Sequence, residues 1–260
     1  MRTALLQLAT DLDQPLAARV ERAAALVREQ RGADLVVLPE LWPVGAFGYD
    51  GWADAAEPLD GPTVRAMADA ARDTGAHVHM GSFVERDGDR LHNTSVVLGP
   101  DGEVAATYRK VHLFGLHSPE RGEPSLLSPG EGPVVWDAPW GPTGLATCYD
   151  LRFPELFRAL VDRGARTLLL VAGWPEPRIA HWSLLVRARA VEDQLLVVAC
   201  NAAGRQGSTA LGGRSLVVDA WGALHGEASP SEQVLEVDVD PAATDGVRER
   251  FPVLDDRVLR

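Results

Sequence analysis

Residues 33–40 read ADLVVLPE, and within them the run 35–38 is wholly apolar before a proline and a glutamate. Consecutive apolar residues predict a β-strand buried on both faces, because a strand with one solvated face alternates apolar and polar residues. Such a strand suits a sheet covered by helices or by a second sheet. Pro39 has no N–H to donate to a sheet, so we expect the strand to end there. Glu40 should then project from the strand's carboxyl end, the edge at which open α/β folds bind ligands.

Strands and helices alternate on both sides of this run. Helical spacing of apolar residues precedes stops such as Gly32 and Gly75, and the turn GPDG at 99–102 predicts a β-hairpin. The last two strands, 214–219 and 233–238, are expected to be joined through a turn at Trp221 and Gly222. The predicted strands cover 3–9, 33–38, 77–84, 94–98, 103–108, 143–147, 167–172, 195–200, 214–219 and 233–238, and the predicted helices cover 16–31, 63–74, 154–162 and 181–193.

These elements predict one α/β domain over residues 1–260. Some strands form hairpins while others alternate with helices, which favours one mixed sheet or two sheets packed face to face with helices outside. A chain of this length buries roughly 70–75% of its unfolded surface, so its core needs no disulfide framework. Residues 121–132, rich in Gly, Pro and Ser, are expected to form a long loop.

The charge balance excludes several classes of partner. The formal net charge of −12 repels phosphate backbones and anionic lipids, so we expect neither a nucleic-acid partner nor a membrane partner. No apolar stretch reaches about 18 residues, and the N-terminus has no cleavage site of a signal peptide. Two cysteines, Cys148 and Cys200, are too few for a disulfide framework. We therefore expect a cytoplasmic protein with reduced thiols.

Three reactive side chains stand at the ends of three different predicted strands. Glu40 follows LVVLP, Lys110 closes EVAATYRK, and Cys148 lies where the strand GLAT meets a helix opened by Pro154. Each alone has an ordinary structural explanation: a solvated glutamate, a surface lysine or a buried cysteine. Cys200, inside LLVVAC, fits packing better than chemistry. The strand-to-helix turn at Cys148 brings backbone N–H groups that favour a thiolate and an oxyanion.

Together, the three residue types fit amide hydrolysis. An amide is a poor electrophile and its leaving amine must be protonated, so the reaction needs a nucleophile, a proton carrier and a cation for the oxyanion. Cys148, Glu40 and Lys110 could supply these if the strand ends meet at one rim. The histidine pairs at 77/79 and 112/117 lack partners with zinc-ligand spacing, and Ser215 lacks the G-x-S-x-G context of a serine hydrolase.

The segments around these residues resemble a known family. LPELW at 38–42, YRKVHLFG at 108–115 and TCYDLRFPEL at 147–156 resemble, in order, the three signature segments of the nitrilase superfamily of carbon–nitrogen hydrolases. The segments at 174–194 and 248–257 resemble the omega-amidase-like branch, whereas 42–52 and 199–207 differ from that branch. The resemblance implies a four-layer αββα sandwich, with two mixed β-sheets between outer helices. It also implies a homodimer that uses neither a metal nor an organic cofactor.

The same resemblance implies roles for individual residues. Cys148 would attack the carbonyl carbon and form a thioester, while Glu40 would move the protons. Lys110 and the backbone N–H of Tyr149 would hold the oxyanion. Glu120 is the match to an accessory glutamate that orients the lysine and the substrate, and Glu123 is its rival.

The resemblance favours an omega-amidase-like enzyme acting on a small-molecule ω-amide, such as α-ketoglutaramate or α-ketosuccinamate. Arg152 or Arg178 could bind a substrate carboxylate through two parallel hydrogen bonds, although Arg152 could equally be a structural ion-pair partner. Alternatives are an N-carbamoyl amino-acid hydrolase, a deaminated-glutathione amidase, a nitrilase, an acyltransferase, or an idle binding protein on the same fold. Aromatic residues near the three segments could wall the pocket or pack in the core: Trp42, Phe47, Trp52, Tyr149, Trp174 and Trp182.

Overall fold

The computed structural model describes residues 1–115 and 122–259 of the chain. Its helices are α1 (Leu16–Glu29), α2 (Pro62–Thr74), α3 (Pro154–Asp162), α4 (Ile179–Glu192) and α5 (Ala243–Arg250). Its strands are β1 (Arg2–Gln7), β2 (Leu35–Val37), β3 (His77–Asp87), β4 (Arg90–Leu98), β5 (Val104–Arg109), β6 (Val134–Ala138), β7 (Gly141–Thr147), β8 (Thr167–Ala172), β9 (Leu196–Asn201), β10 (Arg205–Gln206), β11 (Thr209–Ala210), β12 (Leu216–Val218), β13 (Leu224–Glu227) and β14 (Gln233–Asp238). None of the described helices combines the length and the apolar character needed to cross a membrane.

Two six-stranded mixed sheets form the centre of the fold. The first has the order β14-β1-β2-β3-β4-β5 and the second the order β13-β12-β9-β8-β7-β6. In the first sheet β1, β2 and β3 run parallel and the remaining pairs are antiparallel. In the second sheet β7, β8 and β9 run parallel. The small strands β10 and β11 pair only with each other.

Adjacent residues of the central strands belong to different layers. On β1, Leu6 packs with the cluster that includes Val27 of α1 and Met67 of α2, whereas Leu5 packs with Leu169 of the second sheet. A third cluster joins the outer face of the second sheet to α3 and α4. The layers are therefore helices, sheet, sheet and helices. This arrangement confirms the predicted αββα sandwich, and burial on both faces explains the apolar runs.

The C-terminal part of the chain differs from the prediction. The strand expected at 214–219 is β12, which pairs with β13 and β9. The strand expected at 233–238 is β14, which pairs antiparallel with β1 in the other sheet. The prediction that the turn at Trp221–Gly222 joins these two strands directly is therefore wrong. The turn at Trp221–Gly222 leads instead into β13, a strand that the sequence analysis did not predict, as it did not predict β6 or α5.

The topology brings several strand ends to one rim. Because β2 and β5 run in the same direction, Glu40 and Lys110 both emerge beyond the carboxyl ends of their strands. In the second sheet, Cys148 and Gly173 directly follow the parallel strands β7 and β8. A 2.8 Å hydrogen bond from the Gly173 N–H to Glu40 joins the two sheets at this rim.

Candidate active site

Glu40 is buried, and three donors hold its carboxylate. Oε1 accepts hydrogen bonds from Lys110 Nζ and from Asn93 Nδ2, both at 2.8 Å. Oε2 accepts the bond from the Gly173 N–H. Leu41, the next residue, has a left-handed backbone with φ of 45°, and its N–H donates to Ser82 Oγ at 3.0 Å. The chain thus turns sharply after the carboxylate and is held there.

Lys110 is only 1% exposed and lies between two carboxylates. Its Nζ is 2.8 Å from Glu40 Oε1 and 2.8 Å from Glu123 Oε1. Burial alone would lower the pKa of Lys110, but Glu123 and Glu40 outweigh burial and raise that pKa well above its usual value. The ammonium is therefore charged at neutral pH and suited to stabilising an oxyanion.

Glu123 is a buried glutamate that contacts Lys110. Besides binding Lys110, its Oε2 accepts a 2.6 Å hydrogen bond from the Phe114 N–H. Burial raises the pKa of Glu123, the nearby Lys110 lowers it, and Glu40 raises it, so that the net shift is upward. Glu120, the position preferred in the sequence analysis, lies outside the described residues, whereas its rival Glu123 contacts Lys110.

Cys148 stands on a strained turn. Its φ of 48° is left-handed, a conformation that costs a non-glycine residue roughly 1–2 kcal/mol. A short 3₁₀ helix, Cys148–Arg152, begins at this residue, and Asp150 closes its start by accepting a 2.9 Å hydrogen bond from the Thr147 N–H. The turn separates the thiol from the strand and points the chain into α3.

The Cys148 thiol needs a base. Burial raises its pKa well above the usual value, and the Glu40 carboxylate raises it further against the opposing effect of Lys110. The expectation that the thiolate is favoured here is therefore wrong for the resting site, because burial and the Glu40 carboxylate outweigh the charge of Lys110. Glu40 lines the same cavity and can take the proton as the nucleophile attacks.

Asp150 connects the cysteine turn to the lysine segment. It is fully buried and accepts hydrogen bonds from the Tyr108 hydroxyl at 2.7 Å, the His112 N–H at 2.9 Å and His112 Nδ1 at 2.8 Å, as well as from Thr147. Tyr108 and His112 flank Lys110 in the chain, and Asp150 is two residues beyond Cys148. One carboxylate thus holds both segments together.

A cavity opens beside these groups. The guanidinium of Arg152 lies 4.8 Å from the ring centroid of Trp174, and that of Arg178 lies 5.7 Å from the ring centroid of Phe114. Neither arginine has a carboxylate within ion-pair distance in residues 1–115 and 122–259. The cavity is lined by Glu40, Ala46, Phe47, Tyr49, Lys110, Phe114, Glu123, Cys148, Tyr149, Arg152, Gly173, Trp174, Pro175 and Arg178.

A family model described as "Carbon-nitrogen hydrolase" matches residues 2–249. The chain belongs to the carbon–nitrogen hydrolase family. It is 40% identical to the 2-oxoglutaramate amidase of Paenarthrobacter nicotinovorans over 98% of this chain and 88% of that protein. It is 35% identical to the omega-amidase of Mus musculus over 90% of this chain and 87% of that protein. These findings confirm the predicted family and the predicted class of enzyme, an amidase.

A solved structure supports the fold of this carbon–nitrogen hydrolase. A nitrilase-superfamily protein of branch 10 from Saccharomyces cerevisiae superposes with a TM-score of 0.87 at 30% identity, over 100% of this chain and 97% of that one. The likeness covers both sheets and the outer helices, since the match spans the whole chain.

The wall of the hydrolase cavity differs in part from the expectation. Trp42, Trp52 and Trp182 are at most 1% exposed, and their indole N–H groups donate to the backbone carbonyls of Met80, Gly45 and Arg214. All three are core residues, since they are buried and do not line the cavity. Phe47, Tyr149 and Trp174 do line it, together with Arg152 and Arg178.

The sequence analysis missed several residues of the site. Tyr49 lines the cavity, and burial, followed by the charge of Glu123, raises its pKa to about 12. Asn93 and Gly173 bind Glu40, and Asp150 binds the segments on either side. Asp150 had one sequence signal, an acidic residue between Cys148 and an apolar helix start. Asn93 immediately precedes the predicted strand 94–98 and had none.

Proposed function

We propose that this protein is an omega-amidase that hydrolyses the terminal amide of a short dicarboxylic-acid monoamide and releases ammonia. The observation that carries the proposal is a cavity lined both by Cys148, Glu40 and Lys110 and by two arginines, Arg152 and Arg178. A substrate that has an amide and a carboxylate matches these two kinds of group. The similarity to a 2-oxoglutaramate amidase supports α-ketoglutaramate as the substrate to test first.

Acylation uses the groups around Cys148. Glu40 takes the thiol proton while sulfur attacks the amide carbon, and the carbonyl oxygen becomes an oxyanion. Lys110 and the Tyr149 N–H stabilise this charge. Glu40 then returns the proton to the amine nitrogen, the carbon–nitrogen bond breaks, and ammonia leaves a thioester on Cys148.

Deacylation reverses the proton transfers. Glu40 takes a proton from water while the water oxygen attacks the thioester carbon, and Lys110 again holds the oxyanion. The carbon–sulfur bond breaks, and Cys148 recovers its proton from Glu40. The products are a dicarboxylic acid and ammonia. Glu123 keeps Lys110 charged and oriented through both steps, since its Oε1 lies 2.8 Å from the ammonium nitrogen.

The arginines supply the second part of the recognition. Each guanidinium lies over an aromatic ring, which limits its orientation, and Arg152 Nη2 is also 3.3 Å from His181 Nδ1, which leaves further donors of the guanidinium for a ligand. A planar guanidinium can then hold the distal carboxylate of the substrate through two parallel hydrogen bonds. The apolar wall formed by Phe47 and Phe114 strengthens these contacts by excluding water.

Ammonia release tests the proposal. We expect turnover of α-ketoglutaramate and α-ketosuccinamate, and much slower turnover of butyramide, which has no distal carboxylate. Deaminated glutathione, N-carbamoyl amino acids and simple nitriles test the other reactions of the family. Cys148→Ala should abolish release, while Cys200→Ala, at a fully buried thiol outside the cavity, should retain it. Turnover by Cys148→Ala would contradict the mechanism.

The arginines are tested separately. Arg178→Ala or Arg152→Ala should raise the KM for α-ketoglutaramate about tenfold or more, in line with the loss of a charged hydrogen-bonded pair. Turnover of butyramide should change little. Arg187→Ala, which removes an arginine paired with Glu227 outside the cavity, is the matched control. Equal turnover of butyramide and α-ketoglutaramate by the unmodified enzyme would reject a dicarboxylic-acid monoamide as the substrate.

We also propose that residues 1–260 act as one domain, and that the enzyme works as a homodimer in the cytoplasm. Both cysteines are free thiols, which agrees with a reducing compartment. Sedimentation analysis of the full chain would measure the oligomeric state.

A further inference from the structure

Asn93, on β4, contacts the catalytic group without having a part in the mechanism above. The residue is 1% exposed. Its Nδ2 lies 2.8 Å from Glu40 Oε1 and 3.4 Å from Glu123 Oε1. Lys110 Nζ donates to the same two oxygen atoms, each at 2.8 Å. A neutral donor and a charged donor therefore share one pair of carboxylate oxygens.

The orientation of the Asn93 amide follows from its neighbours. A carboxylate oxygen can only accept, so the NH₂ group must face Glu40 and Glu123. The Asn93 Oδ1 atom is then buried without a hydrogen-bond partner in the described part of the chain. Burying an unpaired acceptor is unfavourable, so the contact of the NH₂ group with the two carboxylates is maintained at a cost in stability. The backbone carbonyl of Asn93 also accepts a hydrogen bond from the backbone N–H of Lys110 at 2.9 Å.

Counting donors locates the free position on the Glu40 carboxylate. Each carboxylate oxygen offers about two acceptor positions. Oε1 has two donors, Asn93 and Lys110, and is full. Among residues 1–115 and 122–259, Oε2 has one donor, the Gly173 N–H, and keeps one free position. The thiol proton must therefore go to Oε2 as long as both donors stay on Oε1.

We infer that Asn93 is a positioning residue that occupies Glu40 Oε1, so that proton transfer takes place at Oε2. This inference rests on the proposed function. As the oxyanion develops, the Lys110 ammonium must donate a hydrogen bond to it, and this weakens the hydrogen bond from Lys110 to Glu40. Asn93 carries no charge, so its hydrogen bond to Glu40 changes less than that of Lys110 when the oxyanion forms. Asn93 therefore keeps the Glu40 carboxylate in place throughout the reaction.

Asn93→Leu tests the inference, because leucine has a similar shape and no donor. We expect kcat to fall about 10- to 100-fold, the loss typical of a misplaced catalytic group, with a smaller change in KM. The matched control is Thr94→Val. Thr94, the next residue on β4, is also 1% exposed and donates to a carboxylate, Glu85, which does not line the cavity. Its loss should lower stability and leave kcat within about twofold.

Asn93→Asp adds a test that a purely structural role would not pass. The charged and titratable groups facing Glu40 are Lys110, Glu123, Cys148 and Tyr49. A carboxylate at position 93 adds negative charge beside the Glu40 and Glu123 carboxylates, and this repulsion favours protonation within the site. The acid limb of the kcat/KM profile should therefore move to higher pH, by roughly one unit.

A third measurement needs no substrate. The rate at which iodoacetamide alkylates Cys148, followed by peptide mass spectrometry, should fall in Asn93→Leu and stay unchanged in Thr94→Val. The inference is overturned if Asn93→Leu and Thr94→Val lose the same fraction of kcat and of alkylation rate, or if Asn93→Asp keeps the original pH profile. If the unmodified enzyme released no ammonia from any amide, the proposed function would be rejected. The alkylation rates of Cys148 would still test the role of Asn93, because they do not depend on turnover.

Discussion

The Tyr108 hydroxyl donates a 2.7 Å hydrogen bond to Asp150 Oδ2. This bond links the strand that leads to Lys110 with the turn that begins at Cys148, and it crosses from the first sheet to the second. The same hydroxyl accepts the Val111 N–H at 3.3 Å. The segments that carry Cys148 and Lys110 are thus held together by a buried contact that lines no part of the cavity.

Tyr108→Phe should therefore weaken both the fold and the catalysis. Loss of a hydrogen bond to a buried charged acceptor predicts a decrease of about 1.5–3 kcal/mol in the free energy of unfolding. A shift of Lys110 relative to Cys148 predicts a fall in kcat of up to about 100-fold. Urea unfolding and ammonia release measure the two effects. Trp140→Phe, which removes a bond to Thr143 away from the cavity, is the control. A Tyr108→Phe variant with unchanged kcat would show that the bond serves stability alone.

Gly173 has no room for a side chain. A Cβ at this position would overlap Ala46 Cβ and lie 3.5 Å from Glu40 Oε2. Gly173→Ala should displace the N–H that binds Glu40 and lower kcat about 10- to 100-fold. Gly246→Ala is the comparison, because a Cβ there meets nothing within 4 Å and α5 should gain about 0.5–1 kcal/mol. Full activity of Gly173→Ala would mean that the Gly173 N–H is not needed to hold the base.

The raised pKa of Asp193 predicts that the stability of the protein depends on pH. Its carboxylate is fully buried, with Arg158 Nε 3.2 Å away, and burial raises its pKa to about 7 against the effect of Arg158. A raised pKa means that the folded state favours the neutral acid. The resulting stabilisation is complete below about pH 4 and is lost as the pH rises to about 7.

Asp193→Asn removes this titration. The free energy of unfolding of the unmodified protein, minus that of the variant, should fall by about 2–4 kcal/mol between pH 4.5 and 8. Urea unfolding at several pH values measures the difference. Asp73→Asn, at an exposed partner of Arg28, should show a nearly constant difference over the same range. A constant difference for Asp193→Asn as well would reject the raised pKa.

Much of the fold was predictable because its signals are local. The run at 35–38 is apolar throughout, since β2 is buried on both faces, and this pattern indicates two covered sheets. The exception is β14, whose alternating exposure resembles an ordinary hairpin strand. Its partner β1 lies at the opposite end of the chain, and no local pattern specifies that pairing.

The chemical types in the site were equally readable from the sequence. Glu40, Lys110 and Cys148 each follow a predicted strand, and their segments resemble one family in order. Asn93 and Gly173 escaped notice, because an asparagine inside a strand and a glycine after one have many ordinary explanations. Their contacts with Glu40 span 53 and 133 residues of sequence. Only folding brings such pairs together.

The sequence by itself determined the secondary structure of most of the chain and the reactive groups available to it, because hydrophobic periodicity and side-chain chemistry are properties of neighbouring residues. The tertiary structure decided that Glu123 contacts Lys110, that Trp42, Trp52 and Trp182 belong to the core, and that the resting thiol is protonated while the lysine is charged. Each of these depends on burial and on charges only a few ångströms away, and those neighbours come from distant parts of the chain.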